Sequence, residues 1–242
     1  MSIIKYLLLN VAVVGLAFSS TLLVAKESED KNLIKILMLG GGDAHDYDKW
    51  FKGTDVATLS KDGFAEVRYL DDLDSIKYYL EYADVLYMTN NQPIKDPENR
   101  KAIMDFVDAG NGLVLGHAAL WYSWSDWPEF NQKLVSGGSR SHDRYGNFDV
   151  NVVKKNHPVT KGVPAKFSLK DELYYQKIDP KGPGIEVLAT ATKEGSDVFP
   201  SVFVVNHPKS KIVSIALGHD NESHDLEAYK TLLKNAIKWT AE

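Results

Sequence analysis

Seven histidines, an acidic pair beside two tyrosines and three closely spaced tryptophans are the residues of this chain whose types could do chemistry. Four of the histidines share a context. His45 follows Gly40-Gly41-Gly42-Asp43-Ala44, His117 follows Gly116, His142 ends Ser139-Arg140-Ser141, and His219 follows Gly218. Imidazole titrates near neutral pH and serves as acid, base or metal ligand. The segment Asp171-Glu172-Leu173-Tyr174-Tyr175 adds two carboxylates. They could simply cap or solvate a strand end. In partly apolar surroundings, however, a carboxyl pKa rises into a range useful for proton transfer. The candidate catalytic groups are therefore His117, His142 and His219 with Asp171 and Glu172. Three imidazoles and a carboxylate would also suit a divalent metal, Zn2+ or Mn2+, though spacings this dispersed define no ligand set. Trp121, Trp124 and Trp127 either belong to a core or offer flat faces to sugar rings.

The remaining histidines carry weaker signals. His157, before Pro158, suits a hydrogen-bonded turn, and His207 in Asn206-His207-Pro208 is expected at the surface. His224 lies five residues after His219, not the four of the two-histidine zinc helix, and is likewise expected at the surface.

The elements that must position these groups can be read from hydrophobic patterning. Leu33 to Leu39, Ala83 to Thr89 and Leu113 to Leu115 are short apolar runs, as in strands buried on both faces of a parallel sheet. Phe64 to Leu70 alternates, as a more peripheral strand does. Helical patterns intervene: Trp50 to Leu59, Ile76 to Leu80, and a segment opened by Pro97 that carries Ile103, Phe106 and Val107. Four strand–helix alternations predict a flavodoxin-like, doubly wound α/β fold with a mostly parallel sheet. Its ligands would bind at the carboxyl edge of that sheet. There the rim would gather Gly40 to Asp46, Asn90 to Gln92 and His117 to Trp124. His45, Asn90, Trp121 and Tyr174 are the expected substrate contacts. In the C-terminal half, short strands are added at Phe148 to Val153, Phe167 to Leu169, Ile185 to Ala191, Val202 to Val205 and Ile212 to Leu217. Ser139 to Asp143 reads as a polar loop. A last helix starting near Ser223 closes one domain over residues 33–242.

Composition narrows the function further. The net charge of −5, without a basic stripe, argues against nucleic-acid binding. With no cysteine there is neither a disulfide nor a thiol nucleophile. The Gly40-Gly41-Gly42 run is not a nucleotide fingerprint: position 45, where a third spaced glycine is required, is histidine, and the phosphate-loop Lys-Ser/Thr pair is missing. Residues 1–25 carry Lys5, an apolar run from Tyr6 to Phe18 and small residues after it, the layout of a secretory signal peptide cleaved near Ser20 or after Ala25. The mature protein is expected in the periplasm or secreted, with no stable membrane insertion once the signal is removed. A homo-oligomer is left open.

Taken together, Gly-Gly-Gly-Asp-Ala-His at 40–45, Gly-Asn-Gly-Leu-Val-Leu-Gly-His at 110–117 and Gly-Gly-Ser-Arg-Ser-His at 137–142 resemble the trehalose-utilisation (ThuA-like) family. His-Pro-Val-Thr-Lys-Gly at 157–162, Asp-Glu-Leu-Tyr at 171–174 and Leu-Gly-His-Asp at 217–220 extend the resemblance from Leu33 to Trp239. It implies a class I glutamine-amidotransferase-like fold and a role with small sugars, such as trehalose or oxidised disaccharides. His117, His142, Glu172, Tyr174 and His219 match its motifs and would line its pocket. Amidotransferase chemistry does not carry over, because that nucleophile is a cysteine where this chain has Gly116-His117. No Gly-x-Ser-x-Gly replaces it. The expectation is an exported enzyme acting on a small saccharide, a hydrolase, lyase or isomerase; the alternative is a non-catalytic periplasmic sugar-binding or sensing module.

Overall fold

Apolar runs without alternation are buried on both sides, and β1 (Ile34–Leu39) shows how. Ile36 and Met38 point into one core, Leu37 and Leu39 into the other, and none of the four is more than 2% exposed. The computed structural model describes residues 33–121 and 126–242 of the chain. The expected signal segment and Trp124 lie outside the described residues. Among those described, no helix is long and apolar enough to cross a membrane.

A helical stretch from Asp48 runs into α1 (Val56–Ser60) and leads to β2 (Ala65–Leu70). Then come α2 (Ile76–Tyr79), β3 (Val85–Met88), α3 (Pro97–Asp108) and β4 (Gly112–Gly116). Asp96 caps α3 by accepting the Glu98 N–H at 2.9 Å, and Pro97 fills its first turn, where no N–H is needed. The helix buries Ile103, Phe106 and Val107 as its spacing requires.

The second half supplies β5 (Gly137–His142), β6 (Gly146–Val152), β7 (Lys166–Asp171), β8 (Tyr174–Ile178), β9 (Ile185–Thr192), β10 (Phe199–Val205) and β11 (Ile212–Ile215). Two helices, α4 (Asn221–His224) and α5 (Glu227–Thr240), stand where the sequence predicts one. Nine strands form one sheet in the order β2-β1-β3-β4-β11-β10-β9-β6-β7. β2, β1, β3, β4 and β11 pair in parallel, and β10, β9, β6 and β7 extend the sheet antiparallel. The fold is thus the expected flavodoxin-like α/β arrangement. Strand order reverses between β1 and β3, the topological position where such sheets bind ligands.

Three local expectations are corrected. Ser139 to His142, read as a polar loop, is strand β5, which pairs with β8 in a separate two-stranded ribbon. Its residues lack apolar alternation because the pairing, not a hydrophobic face, makes the strand. His207 is not at the surface: only 7% of its side chain is exposed, and its Nδ1 accepts the Ser210 N–H at 3.1 Å.

The third correction is His224, which is fully buried. Its Nδ1 donates to Asp55 Oδ1 at 2.7 Å, and Nε2 lies 3.1 Å from the Gly218 carbonyl. The hydroxyls of Tyr87 and Tyr229 each donate to Asp55 Oδ2 at 3.1 Å. Burial opposes charge on His224, but Asp55 outweighs it, so the imidazole titrates above its ordinary 6.5. Stability from such a group is complete below the unfolded pKa and is lost as pH rises through the folded one. His224→Gln should therefore cost roughly 3–5 kcal/mol by urea unfolding at pH 6, since Asp55 is left buried without its partner. The gap from wild type should narrow by pH 9; a gap that stays constant or widens would contradict the charged pair.

Candidate functional site

Four parallel strands each deliver a side chain to the carboxyl edge of the sheet. His45 comes from the loop after β1, Asn91 from the loop after β3, His117 directly from β4, and His219 from the turn after β11. The glycines around them make close approach possible. A Cβ on Gly42 would fall 1.5 Å from Asn91 Oδ1, and Gly42 and Gly218 take φ values of +133° and +130°, conformations open chiefly to glycine. His117 itself holds φ +38°, an uncommon backbone state for a non-glycine residue and one that collects at functional sites.

The orientation of the His117 ring follows from its neighbours. Nδ1 lies 2.8 Å from the Ala216 carbonyl, which can only accept, so Nδ1 carries the hydrogen and Nε2 the lone pair. Tyr174 donates its hydroxyl to that Nε2 at 3.2 Å. The two rings stack with centroids 4.6 Å apart. Burial holds the Tyr174 hydroxyl protonated well beyond the usual phenol range.

The opposite wall is the β5–β8 ribbon, whose register sets His142 across from Tyr174. Trp121 bridges to Ser139 and packs its ring edge-on to His142 and Tyr174. Between β7 and β8 the chain turns, and its two adjacent carboxylates diverge. Asp171 is fully buried and faces away from the hollow. Its Oδ2 accepts the N–H of Gly218 at 2.9 Å and the hydroxyl of Ser223, with the His219 N–H at 3.5 Å. Its Oδ1 accepts the Glu172 N–H at 2.6 Å. Both carboxylate oxygens are thus engaged by the framework. The expected catalytic place of Asp171 is corrected accordingly: its carboxylate is the anchor for the loop that carries His219.

Glu172 faces the histidines. Oε2 lies 3.5 Å from His117 Nε2 and 3.3 Å from His219 Nδ1, and Oε1 lies 3.7 Å from His142 Nδ1. Burial alone would raise its pKa; the facing imidazoles of His117 and His219 prevail and hold the carboxyl well below the usual range. That reverses the expectation of a raised carboxyl. Reciprocally, the Glu172 carboxylate raises His219 above its ordinary value. Burial, then the nearby imidazoles of His117 and His219, depress His45 to about 3, so His45 is neutral at physiological pH. The His45 ring packs against both, with centroids 4.7 Å from His117 and 4.8 Å from His219. One ring nitrogen of each of these three histidines lies within 4.8 Å of the others, an arrangement able to hold a cation.

His45, Asn91, Trp121, His142, Glu172 and Tyr174, among others, line a hollow of about 270 Å³, and His117 and His219 contact these lining residues. That volume is just under the roughly 300–1,000 Å³ of typical ligand clefts and suits one small ring. Of the residues singled out from the sequence, seven come together: His45, His117, Trp121, His142, Glu172, Tyr174 and His219. Asp171 and Asn90 do not. Asn90 is fully buried and donates to the Gln92 carbonyl at 2.9 Å, a contact that folds its own loop. Its neighbour Asn91 lines the hollow instead and donates to Asp43 at 3.1 Å. Tyr145, not expected from the sequence, sets its ring 4.9 Å from His219 and donates to Asp220 at 2.5 Å. Nothing in its local sequence distinguishes it.

Comparison with known proteins finds the same fold. The family model described as ThuA, trehalose utilisation, matches residues 35–240. A ThuA-like protein from Parabacteroides merdae is similar at 24% identity and TM-score 0.76, covering 86% of this chain and 90% of that one. A ThuA-like protein from Bacteroides uniformis is similar at 23% identity and TM-score 0.71, covering 86% and 91%. The glutaminase domain of Trypanosoma brucei CTPS shares the fold at 9% identity and TM-score 0.54, covering 86% and 94%. No curated protein matches in sequence.

The division of labour between the two carboxylates is open to measurement. Asp171→Ala strands several buried donors and should lower unfolding stability by roughly 2–5 kcal/mol. His142→Ala, at the partly exposed rim, should shift it by under about 0.5 kcal/mol. Urea denaturation of both variants checks this, and an Asp171→Ala midpoint equal to wild type would deny Asp171 its anchoring place.

Proposed function

Since the chain belongs to the trehalose-utilisation (ThuA) family, we propose that it is an enzyme acting on a small saccharide, and specifically on an oxidised, keto derivative of a disaccharide such as trehalose. The observation that supports this reading is a single ionised carboxylate, Glu172, held among His117, His142 and His219 on the wall of the hollow. Ordinary glycosidases set two carboxyl groups about 5–10 Å apart across the scissile bond. The residues lining this hollow include one. One base beside a cluster of imidazoles suits removal of a proton next to a carbonyl, where negative charge builds on oxygen.

In that chemistry Trp121 and Tyr174 stack against one sugar ring. Oε1 of Glu172 takes the proton from the carbon beside the keto group, and the C–H electron pair moves toward the carbonyl oxygen. The imidazoles of His45, His117 and His219 face that oxygen as charge develops. The electron pair then expels the oxygen β to the carbonyl, and His142 protonates the leaving group at the mouth. If His142 instead gives its own proton to that carbon from the other face while Glu172 keeps the one it took, the outcome is isomerisation by inversion at that carbon. The apolar leader supports export, and N-terminal sequencing of the mature protein should find a start near Ser20 or after Ala25.

The test is incubation of the full chain with trehalose, other disaccharides and their keto forms in D2O, followed by product analysis and detection of deuterium beside the keto group. Wild type should exchange and convert a keto disaccharide, and Glu172→Gln should be slower by about 10²–10⁴-fold. Tight sugar binding with neither exchange nor product would make the protein a binding module instead.

A further inference from the structure

We propose that His45, His117 and His219, with Oε2 of Glu172 as fourth donor, bind one divalent transition-metal ion, Zn2+ being the best match. The inference deepens the reading of the hollow given above and takes its location from it, but its test reads the ion alone.

Hydrogen bonding does not account for this cluster. Nδ1 of His45 and Nδ1 of His219 are buried and have no hydrogen-bond partner among the described residues. Such atoms cost about 1–3 kcal/mol each when left unsatisfied, so natural proteins seldom keep them without a ligand or a function. The approaches of Glu172 Oε2 to His219 Nδ1 (3.3 Å) and His117 Nε2 (3.5 Å) exceed the 2.7–2.9 Å of charge-assisted hydrogen bonds. They agree with two ligands of a single ion. Metal bonds of 2.0–2.1 Å at tetrahedral angles put neighbouring donor atoms about 3.3–3.4 Å apart. The three imidazole nitrogens already lie within 4.8 Å of one another, so closing their widest pair takes a shift of little more than about an ångström.

The surroundings are those of a ligand set held from behind. The Ala216 carbonyl fixes the His117 hydrogen on Nδ1 and leaves the Nε2 lone pair inward, as carbonyls and carboxylates do for metal-bound histidines. Asp171 holds both the Glu172 N–H and the loop of His219. Tyr174, which donates to His117 Nε2, is the group an ion would displace; its hydroxyl would then face the sugar. Three nitrogens and one carboxylate oxygen favour Zn2+ and disfavour the oxygen-seeking Mg2+ and Ca2+. An ion here would sit beside the keto oxygen of the sugar and withdraw electrons from it.

The experiment strips the full-length protein with chelator and titrates it with Zn2+ by calorimetry, alongside Co2+ loading followed by visible absorption. The expected result is one Zn2+ per chain and the absorption bands of a tetrahedral Co2+ site. His45→Ala and His219→Ala should each weaken Zn2+ binding by about 100-fold, while His142→Ala keeps it within about threefold; circular dichroism checks that each variant is folded. If His219→Ala does not fold, His219→Asn replaces it. Failure of the stripped wild type to bind Zn2+, or equal binding by His45→Ala and His142→Ala, would overturn the proposal. Stoichiometric Zn2+ binding without any sugar product would support the ion and refute the sugar chemistry. Sugar turnover by a chain that binds no Zn2+ would do the reverse.

Discussion

One buried carboxylate joins the two halves of this molecule. Asp171 ends an antiparallel edge strand, yet its oxygens accept the N–H groups and hydroxyl of the Gly218–Ser223 turn, which follows the last parallel strand. Burying a carboxylate without partners is prohibitive; with several charge-assisted hydrogen bonds it becomes a strong and directional constraint. The consequence falls on the next residue. Because adjacent side chains in an extended chain point to opposite sides, fixing Asp171 inward to the turn sends Glu172 into the hollow, among imidazoles borne by three other loops.

From that follows an electrostatic arrangement that no single loop could produce. Glu172 is ionised although half-buried, His219 is drawn toward its protonated form, and His45 is driven to neutrality. Each imidazole has a backbone reason for its place: the strained turn at His117, the glycines before His45 and His219, and the ribbon register for His142. The parallel sheet supplies rigidity behind them. A second buried pair, His224 with Asp55, locks the far side of the Gly218 turn through its carbonyl. The turn bearing His219 is thus gripped from two directions.

Much of this was legible in the sequence, for physical reasons that can be named. Buried parallel strands advertise themselves as short apolar runs, so β1, β3, β4 and β11 and the residues leaving their carboxyl ends could be placed without coordinates. Seven of the nine residues singled out come together, five of them lining the hollow. What was illegible depends on partners distant in sequence or on the phase of alternation. Strand β5 has glycines, serines and arginine where a strand usually shows apolar residues, and exists through its pairing with β8. His224 finds Asp55 169 residues away. Asp171 against Glu172, and Asn90 against Asn91, differ by one position, and composition does not say which of two neighbours points inward.

The central claim is that Glu172 organises the charge of the histidine cluster. Its most direct test is NMR titration of the imidazole nitrogens in chelator-treated wild type and Glu172→Gln. His219 should titrate above its ordinary 6.5 in wild type and fall clearly in the variant, while His45 stays neutral down to at least about pH 5 in both. A His219 midpoint unmoved by Glu172→Gln would contradict the account.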